Sequence, residues 1–412
     1  MKQIAIPPSK SVAHRALICA ALSGNSMVRN CGENQDVLAT LRCIHALGFV
    51  TTTKGEGEDR YRFFPRPVQK SLLADCGESG STLRFFIPIA AALGTPMTFT
   101  GKGRLMERPL TPFEDCFKGS DVKLTVRNGQ ARVSGQLKAG TYQIGGDISS
   151  QFLTGLLLAL PLLDGESEIV LTSELQSRPY IDITLDVMKK FGVDVRNENY
   201  ARFVIPATSS YVSTNYIVEA DYSSASFFLT AGALGAEVDI VGLRGDSLQG
   251  DKFFIPLLEQ GGAIISPTEK GITVKQGTHR GFVCDVTQFP DLVPPLALFM
   301  ALCEGESRII GASRLRIKES DRLATVTRQL NELGANIKEL EDSLIIQGVP
   351  KLRGGHVSGC GDHRIAMMCA IASLACEERV TLDDWKCVEK SYPEFWEHFA
   401  QIEKNEVIKG TC

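Results

Sequence analysis

Residues 111–126 read TPFEDCFKGSDVKLTV, a helix signal, then a glycine, then a strand signal. Phe113 and Phe117 share one helical face. Thr111-Pro112-Phe113-Glu114 reads as a capping box with Pro at the first helical position, a pairing that satisfies exposed backbone donors. Gly119 supplies the left-handed residue that ends a helix, and Val122, Leu124 and Val126 alternate as in a half-buried strand. The same order recurs along the chain. Val37, Leu41, Ile44 and Leu47 precede Gly48; Ile181, Leu185, Met188 and Phe191 precede Gly192. Phe254, Leu257 and Leu258 precede Gly261-Gly262, and Leu323, Val326, Leu330 and Leu333 precede Gly334. Gly48, Gly119, Gly192, Gly262 and Gly334 stand 71, 73, 70 and 72 residues apart, a regularity that unrelated βα elements do not need.

One further step lands near residue 406, just past a sixth helix signal with Phe395, Phe399 and Ile402. Too little chain follows for a full strand, so the N-terminal alternation of Ile4 and Ile6 is expected to supply it. Six units divide as three and three. The expected fold is α/β with two lobes, residues 9–219 forming one and residues 1–8 with 220–412 the other, closed by both termini. The polar stretch 207–216 marks one crossing and Pro7-Pro8 the second. Two crossings make a hinge able to close on a ligand.

Composition narrows the function. With 412 residues, 43% hydrophobic and 22% charged, the chain has ample core and is neither disordered nor fibrous. Forty-four basic against 48 acidic side chains leave a net charge of −4, which excludes a general polyanion surface and makes nucleic acid an unexpected partner. The longest apolar run, 152–163, contains Pro161 and is too short to cross a bilayer, and MKQIAIPPSKS has no apolar signal core. A cytoplasmic protein is expected. None of the 12 cysteines forms C-x-x-C, and no two of the six histidines stand four apart, so neither a disulfide framework nor a metal site is expected.

Three segments combine small polar residues with apparent helix starts: Ser9-Lys10-Ser11 with Arg15 one turn on, Gly77 to Arg84 around Gly80, and Gly146 to Gln151. Exposed N–H groups, hydroxyls and a cation together make an anion cradle. Each alone is an ordinary cap; three in one chain point to phosphate or carboxylate ligands. Arg104 and Arg108, Lys318 and Arg322, His363 and Arg364, and Lys390 add cations at turns and helix entrances. In RIKESDR the acids Glu319 and Asp321 interleave with the cations. A carboxyl held there beside a desolvated substrate can exchange protons.

Taken in order, PPSKSVAHRALICAALSG, GESGSTLR, GRLMERP, SSQFLTGLLLALPL, SRPYIDITL, ADYSSASFFLTAGAL, LQGD, FPDLVPPLAL, RIKESDR, GDHRIAM and KSYPEFW resemble the 5-enolpyruvylshikimate-3-phosphate synthase family over almost the whole chain. The resemblance implies two lobes, each of three βαβαββ units, an inside-out α/β barrel. It implies transfer of the enolpyruvyl group of phosphoenolpyruvate to the 5-hydroxyl of shikimate 3-phosphate with release of phosphate, on the route to chorismate, without metal, nucleotide or organic cofactor. The implied partners are those two small molecules, with no nucleic acid and no membrane, and the protein is expected to be a monomer. Both substrates are polyanions, which accounts for cations gathered at loops of a mildly acidic chain.

Carried over by position, the resemblance gives shikimate 3-phosphate to Lys10, Ser11, Arg15, Ser149, Ser150, Gln151, Ser177, Tyr180, Asp291 and Lys318. It gives phosphoenolpyruvate to Lys10, Gly80, Arg104, Gln151, Arg322, Arg364 and Lys390. The implied mechanism is addition followed by elimination. Glu319 gives and retrieves the methylene proton, Asp291 accepts the hydroxyl proton, Lys10 assists phosphate departure, and His363 and Lys390 assist proton transfer. The chain departs from the family pattern at Pro8, Glu78, Arg314 and Gly361, where Gly and three Asn are usual. The related transferase acting on UDP-N-acetylglucosamine usually carries a Cys acid in the segment matching GKGRLMERP, and here that segment has none. A non-catalytic anion binder of the same fold is disfavoured by the presence of Lys10, Asp291 and Glu319 together.

Overall fold

The computed structural model describes residues 2–49, 60–63, 72–404 and 406–412. It divides into two compact units, one formed by Met1–Ser9 with Glu219–Cys412 and the other by Lys10–Val218. Among the described residues the strands form six small open sheets, three in each unit, with no closed barrel. Within a complete repeat the first two strands run parallel around a helix, and a hairpin then adds antiparallel: Leu73–Asp75 pairs with Met97–Thr100, which pairs with Gln130–Ser134 and through it Lys123–Arg127.

The two helices of a repeat differ in composition, and this sets the architecture. In the Lys10–Val218 unit, helices Lys10–Ser23, Gly80–Ala92 and Ser150–Ala159 are rich in Ala, Leu, Ile and Phe and are buried on nearly every side. Tyr222–Ala233, Val293–Ala301 and His363–Ala372 do the same in the other unit. A helix without a polar face belongs inside, so three helices form each core. The amphipathic helices found by periodicity, such as Arg178–Lys190 and Arg322–Glu332, bury only one stripe.

Each of the repeating glycines has the positive φ that its place demands: Gly48 88°, Gly119 80°, Gly192 86°, Gly262 93° and Gly334 98°. The left-handed conformation is nearly free for glycine and costly for other residues. The strand expected after Gly48 falls largely outside the described residues.

Two local expectations are corrected. Helix Thr111–Cys116 has Leu110 as its N-cap, with no side-chain cap, so the Thr111 capping box does not form. Phe113 and Glu114 instead donate to the Leu110 carbonyl, and burial of Leu110 and Phe113 starts the helix one residue early. The N-terminal strand also serves a different sheet from the one expected. Lys2–Ala5 pairs in parallel with Val238–Val241, in the fourth repeat, while the sixth closes on the short strand Ile408–Lys409 beside Val380–Asp383. The reason lies in the chain crossing: Asn215–Ile217, which precedes the fourth buried helix, belongs to the Lys10–Val218 unit and pairs there with Met27–Arg29. The fourth sheet therefore lacks a first strand, and the N-terminus fills the place.

Helices Gly80–Ala92 and Ser150–Ala159 meet backbone to backbone. Pro88 has no N–H for the Arg84 carbonyl, and a Cβ on Gly155 would stand 2.3 Å from that oxygen. Only glycine permits the approach, which brings Gln151 to Arg84.

Candidate active site

The first turns of the buried helices carry the side chains singled out by sequence. In the Lys10–Val218 unit, Lys10 opens its helix and its Nζ lies 2.8 Å from Asp36 Oδ2. Arg15, one turn on, is buried; its Nε donates to Thr184 Oγ1 at 2.7 Å, Nη1 to the Ser11 carbonyl at 2.6 Å and Nη2 to the Tyr180 carbonyl at 3.2 Å. Burial lowers its pKa to about 10, which leaves it a cation at neutral pH. Ser149 caps helix Ser150–Ala159 by accepting from the Gln151 N–H. Gln151 Nε2 donates to Ser81 Oγ at 3.0 Å and its Oε1 accepts from Arg84 Nη1 at 2.9 Å. Ser177 is buried with φ 58°, a left-handed residue just before helix Arg178–Lys190. Tyr180, on the first turn of that helix, is tied to Arg15 through its carbonyl. His14 hydrogen-bonds Thr40 at 2.7 Å, and Thr40 continues to Thr82 and Ser79, the N-cap before Gly80. Burial pushes the His14 imidazole down to about 3, so this link is a neutral hydrogen-bond chain.

The cations beside Gly80 are Arg84 and Arg108, since a Cβ there would stand 2.8 Å from an Nη1 of each. The Arg104 side chain is 49% exposed and lies 3.7 Å from Glu107. The turn Leu105–Glu107 separates Arg104 from Arg108.

In the other unit a buried guanidinium organises the site. Arg322, 1% exposed, donates from Nε to Asp362 Oδ2 at 2.7 Å, from Nη1 to Asp291 Oδ1 at 2.8 Å and from Nη2 to Glu319 Oε2 at 2.9 Å. Lys318 Nζ reaches Asp291 Oδ1 at 3.4 Å, and Lys390 Nζ lies 3.7 Å from Glu319 Oε1. Arg364 Nη2 donates to Asp291 Oδ2 at 3.2 Å and to Ser223 Oγ at 3.1 Å. Asp362, the N-cap of helix His363–Ala372, accepts from the Arg364 N–H, and the His363 Nδ1 lies 3.7 Å from it. Asp291, Lys318, Glu319, Arg322, His363, Arg364 and Lys390 are thus drawn together within one unit.

Burial alone would raise the Asp291 pKa, but Arg364, Lys318 and Arg322 outweigh it and hold this carboxyl well below the usual range. Burial lowers the Lys318 pKa, partly offset by Asp291. Burial works against Arg322 as well, yet Asp362, Glu319 and Asp291 more than compensate and raise it. Asp291 is therefore ionised at neutral pH, in the form that accepts a proton.

The sequence reading gave no role to Arg84, Ser223, Asp251 or Asp362, although the motifs GESGSTLR, SSASFF, LQGD and GDHR contain them. Asp251 accepts a hydrogen bond from the Ser223 hydroxyl. Two departures have local explanations. Gly361 has φ 67°, a conformation that suits Gly as it suits Asn. Arg314 donates to the Thr287 carbonyl at 2.5 Å, in the segment leading to Asp291.

Cations gathered at helix starts, with an ionised carboxylate held among them, define a protein that binds small polyanions and exchanges protons with them. Comparison with known proteins identifies the family. Residues 1–399 match the pattern of the EPSP synthase (3-phosphoshikimate 1-carboxyvinyltransferase) family. The 3-phosphoshikimate 1-carboxyvinyltransferase of Clostridium kluyveri is 46% identical over 403 residues, covering 97% of this chain and 94% of its own. That of Clostridium perfringens strain ATCC 13124 is 45% identical over 414 residues, covering 99% and 96%. The solved structure of EPSP synthase from Acinetobacter baumannii has a TM-score of 0.79 at 25% identity, covering 98% of this chain and 96% of that one. The chain belongs to the EPSP synthase family. No helix among the described residues is long and apolar enough to cross a membrane.

Proposed function

We propose that the protein transfers the enolpyruvyl group of phosphoenolpyruvate to the 5-hydroxyl of shikimate 3-phosphate and releases inorganic phosphate, as a cytoplasmic monomer. The observation that carries the reading is Arg322, buried among Asp291, Glu319 and Asp362 with Lys318 and Lys390 beside the acids. From the Lys10–Val218 unit the reading takes Lys10, Ser11, Arg15, Ser149, Ser150, Gln151, Ser177 and Tyr180 for shikimate 3-phosphate. For phosphoenolpyruvate it takes Lys10, Gly80, Arg104 and Gln151, with Arg108 beside Gly80 as a further cation. From the other unit come Asp291 and Lys318 for the ring hydroxyls, and Arg322, Arg364 and Lys390 for phosphoenolpyruvate. Ionised Asp291 accepts the proton of the attacking hydroxyl. Glu319 delivers a proton to the methylene carbon and recovers one when the tetrahedral intermediate loses phosphate. Lys390 beside Glu319 offsets its charge once the proton has left.

The competing acceptor, UDP-N-acetylglucosamine, fits less well. Cys116, the nearest thiol after GKGRLMERP in sequence, is pushed up to about 12 by burial and is no acid at neutral pH. Purified protein with both proposed substrates should release phosphate, and UDP-N-acetylglucosamine should not replace shikimate 3-phosphate. Release only with the sugar nucleotide would overturn the reading.

Arg104 supplies a sharper test. A charge-assisted hydrogen bond contributes about 1.5–3 kcal/mol, so Arg104→Ala should raise the KM for phosphoenolpyruvate roughly 10- to 150-fold. Glu107→Ala, which removes only the exposed partner of Arg104, should change it by less than about twofold. Steady-state kinetics at saturating shikimate 3-phosphate separate the two. An Arg104→Ala effect below about twofold would remove Arg104 from the site.

A further inference from the structure

Asp251 lies outside the set that the reaction calls upon, yet it is joined to that set by a single hydroxyl. It sits in the turn Gly250–Phe253 and is 5% exposed. Its Oδ2 accepts from Ser223 Oγ, and the same Oγ accepts from Arg364 Nη2, which also donates to Asp291 Oδ2 at 3.2 Å. Its Oδ1 is buried and has no hydrogen-bond partner among the described residues. A buried carboxylate oxygen without a donor is expensive, and a neutral acid at the same place is much less so.

The charged groups that face Asp251 come from three elements: Asp291 from the turn Pro290–Leu292, Arg364 from helix His363–Ala372, and Asp221 from the N-cap of helix Tyr222–Ala233. Lys252, its neighbour in sequence, turns away to the Gly245 carbonyl. Burial and Asp291 push the Asp251 carboxyl up, Arg364 pulls it down, and the result is about 7. Arg364 is the cation in this balance, and Arg364 is also a group assigned to phosphoenolpyruvate.

We propose that Asp251 is a positioning residue that takes up a proton from solvent when an anionic group of phosphoenolpyruvate engages Arg364, so that binding and protonation are linked. The inference rests on the functional reading above. An anion on Arg364 offsets the cation that favours ionised Asp251, and the carboxyl then retains its proton to higher pH. The sign follows from linkage. A group whose pKa rises on binding takes up protons, and the ligand binds more weakly as pH climbs past the free value of about 7. Protonated Asp251 still accepts from Ser223 through Oδ2, which keeps Arg364 aimed at Asp291.

The test is calorimetric titration of phosphoenolpyruvate into the protein saturated with the 5-deoxy analogue of shikimate 3-phosphate, which has no hydroxyl to react, at pH 7.5, in two buffers of different ionisation heat. Wild type should take up a substantial fraction of a proton per phosphoenolpyruvate bound, and Asp251→Asn, which imitates the neutral acid, should lose that uptake. In parallel, the wild-type KM for phosphoenolpyruvate should rise by up to about tenfold per pH unit above pH 7, a slope that vanishes in Asp251→Asn. A residue that merely supports the fold would shift kcat or stability and leave the pH slope of KM in place. Equal uptake and equal slopes in the two proteins would overturn the proposal. Absence of any phosphoenolpyruvate binding to wild type would overturn the functional reading and the proposal with it. Should Asp251→Asn fail to fold, difference infrared spectroscopy of wild type decides the matter. A carboxylic-acid band appearing on phosphoenolpyruvate addition supports the proposal, and its absence refutes it.

Discussion

Glu319→Gln is expected to lower turnover by roughly 10²- to 10⁴-fold, the span that a well-placed general acid and base contributes. Binding of shikimate 3-phosphate should stay within about twofold, because Gln keeps an oxygen for the Arg322 Nη2 donor, now 2.9 Å from Glu319 Oε2. The side chain is only 15% exposed, which limits rescue by water, and Lys390 at 3.7 Å is too weak an acid to replace a carboxyl at the carbon. Both steps of the reaction need this proton, once outward and once back. The loss should therefore appear in single-turnover formation of the intermediate as well as in steady-state kcat. Turnover within a few-fold of wild type would remove Glu319 from the proton route.

The repeat was legible because it depends on local rules. A helix ended by a left-handed residue needs glycine, and the five that recur near 70-residue spacing all carry positive φ. Strand exchange was not legible, since nothing local in Ile4 and Ile6 distinguishes pairing with Val238–Val241 from pairing in the sixth repeat. Asn215–Ile217 stays in the Lys10–Val218 unit, paired with Met27–Arg29, and that leaves the fourth sheet in need of a strand. The site divides in the same way. RIKESDR announced Lys318, Glu319 and Arg322 by interleaving charges next to a helix start. Arg104 and Arg108 stand four apart in one motif, and nothing in that spacing announces that Arg108 lies beside Gly80. Asp251 was hidden further still. It meets Ser223 from 28 residues away, and its significance comes from Arg364, 141 residues from Ser223. An acid looks the same in sequence whether solvent or a guanidinium faces it.

Arg322→Met tests the electrostatic foundation of the site through stability. It should destabilise the protein by about 3–5 kcal/mol, the cost of stripping a buried cation from carboxylates that then lack compensation. Packing is nearly preserved by Met, so most of the effect belongs to charge. Asp291, Asp362 and Glu319 would remain, with side-chain exposures of 17%, 0% and 15%. The pH dependence separates this account from simple loss of volume. In wild type the Asp291 pKa is held low, so its contribution is present above the ordinary carboxylate pKa near 3.9 and disappears as pH falls through the lower, folded value. Without Arg322, Asp291 loses one of the cations that hold it low, its folded pKa moves upward, and the native variant binds more protons than native wild type as pH falls. The variant should therefore gain stability relative to wild type as pH drops from 8 toward 5. Urea midpoints across that range measure the difference directly. A deficit that stays constant with pH would mean that Arg322 stabilises by packing alone, and the carboxylates around it would need another source of compensation.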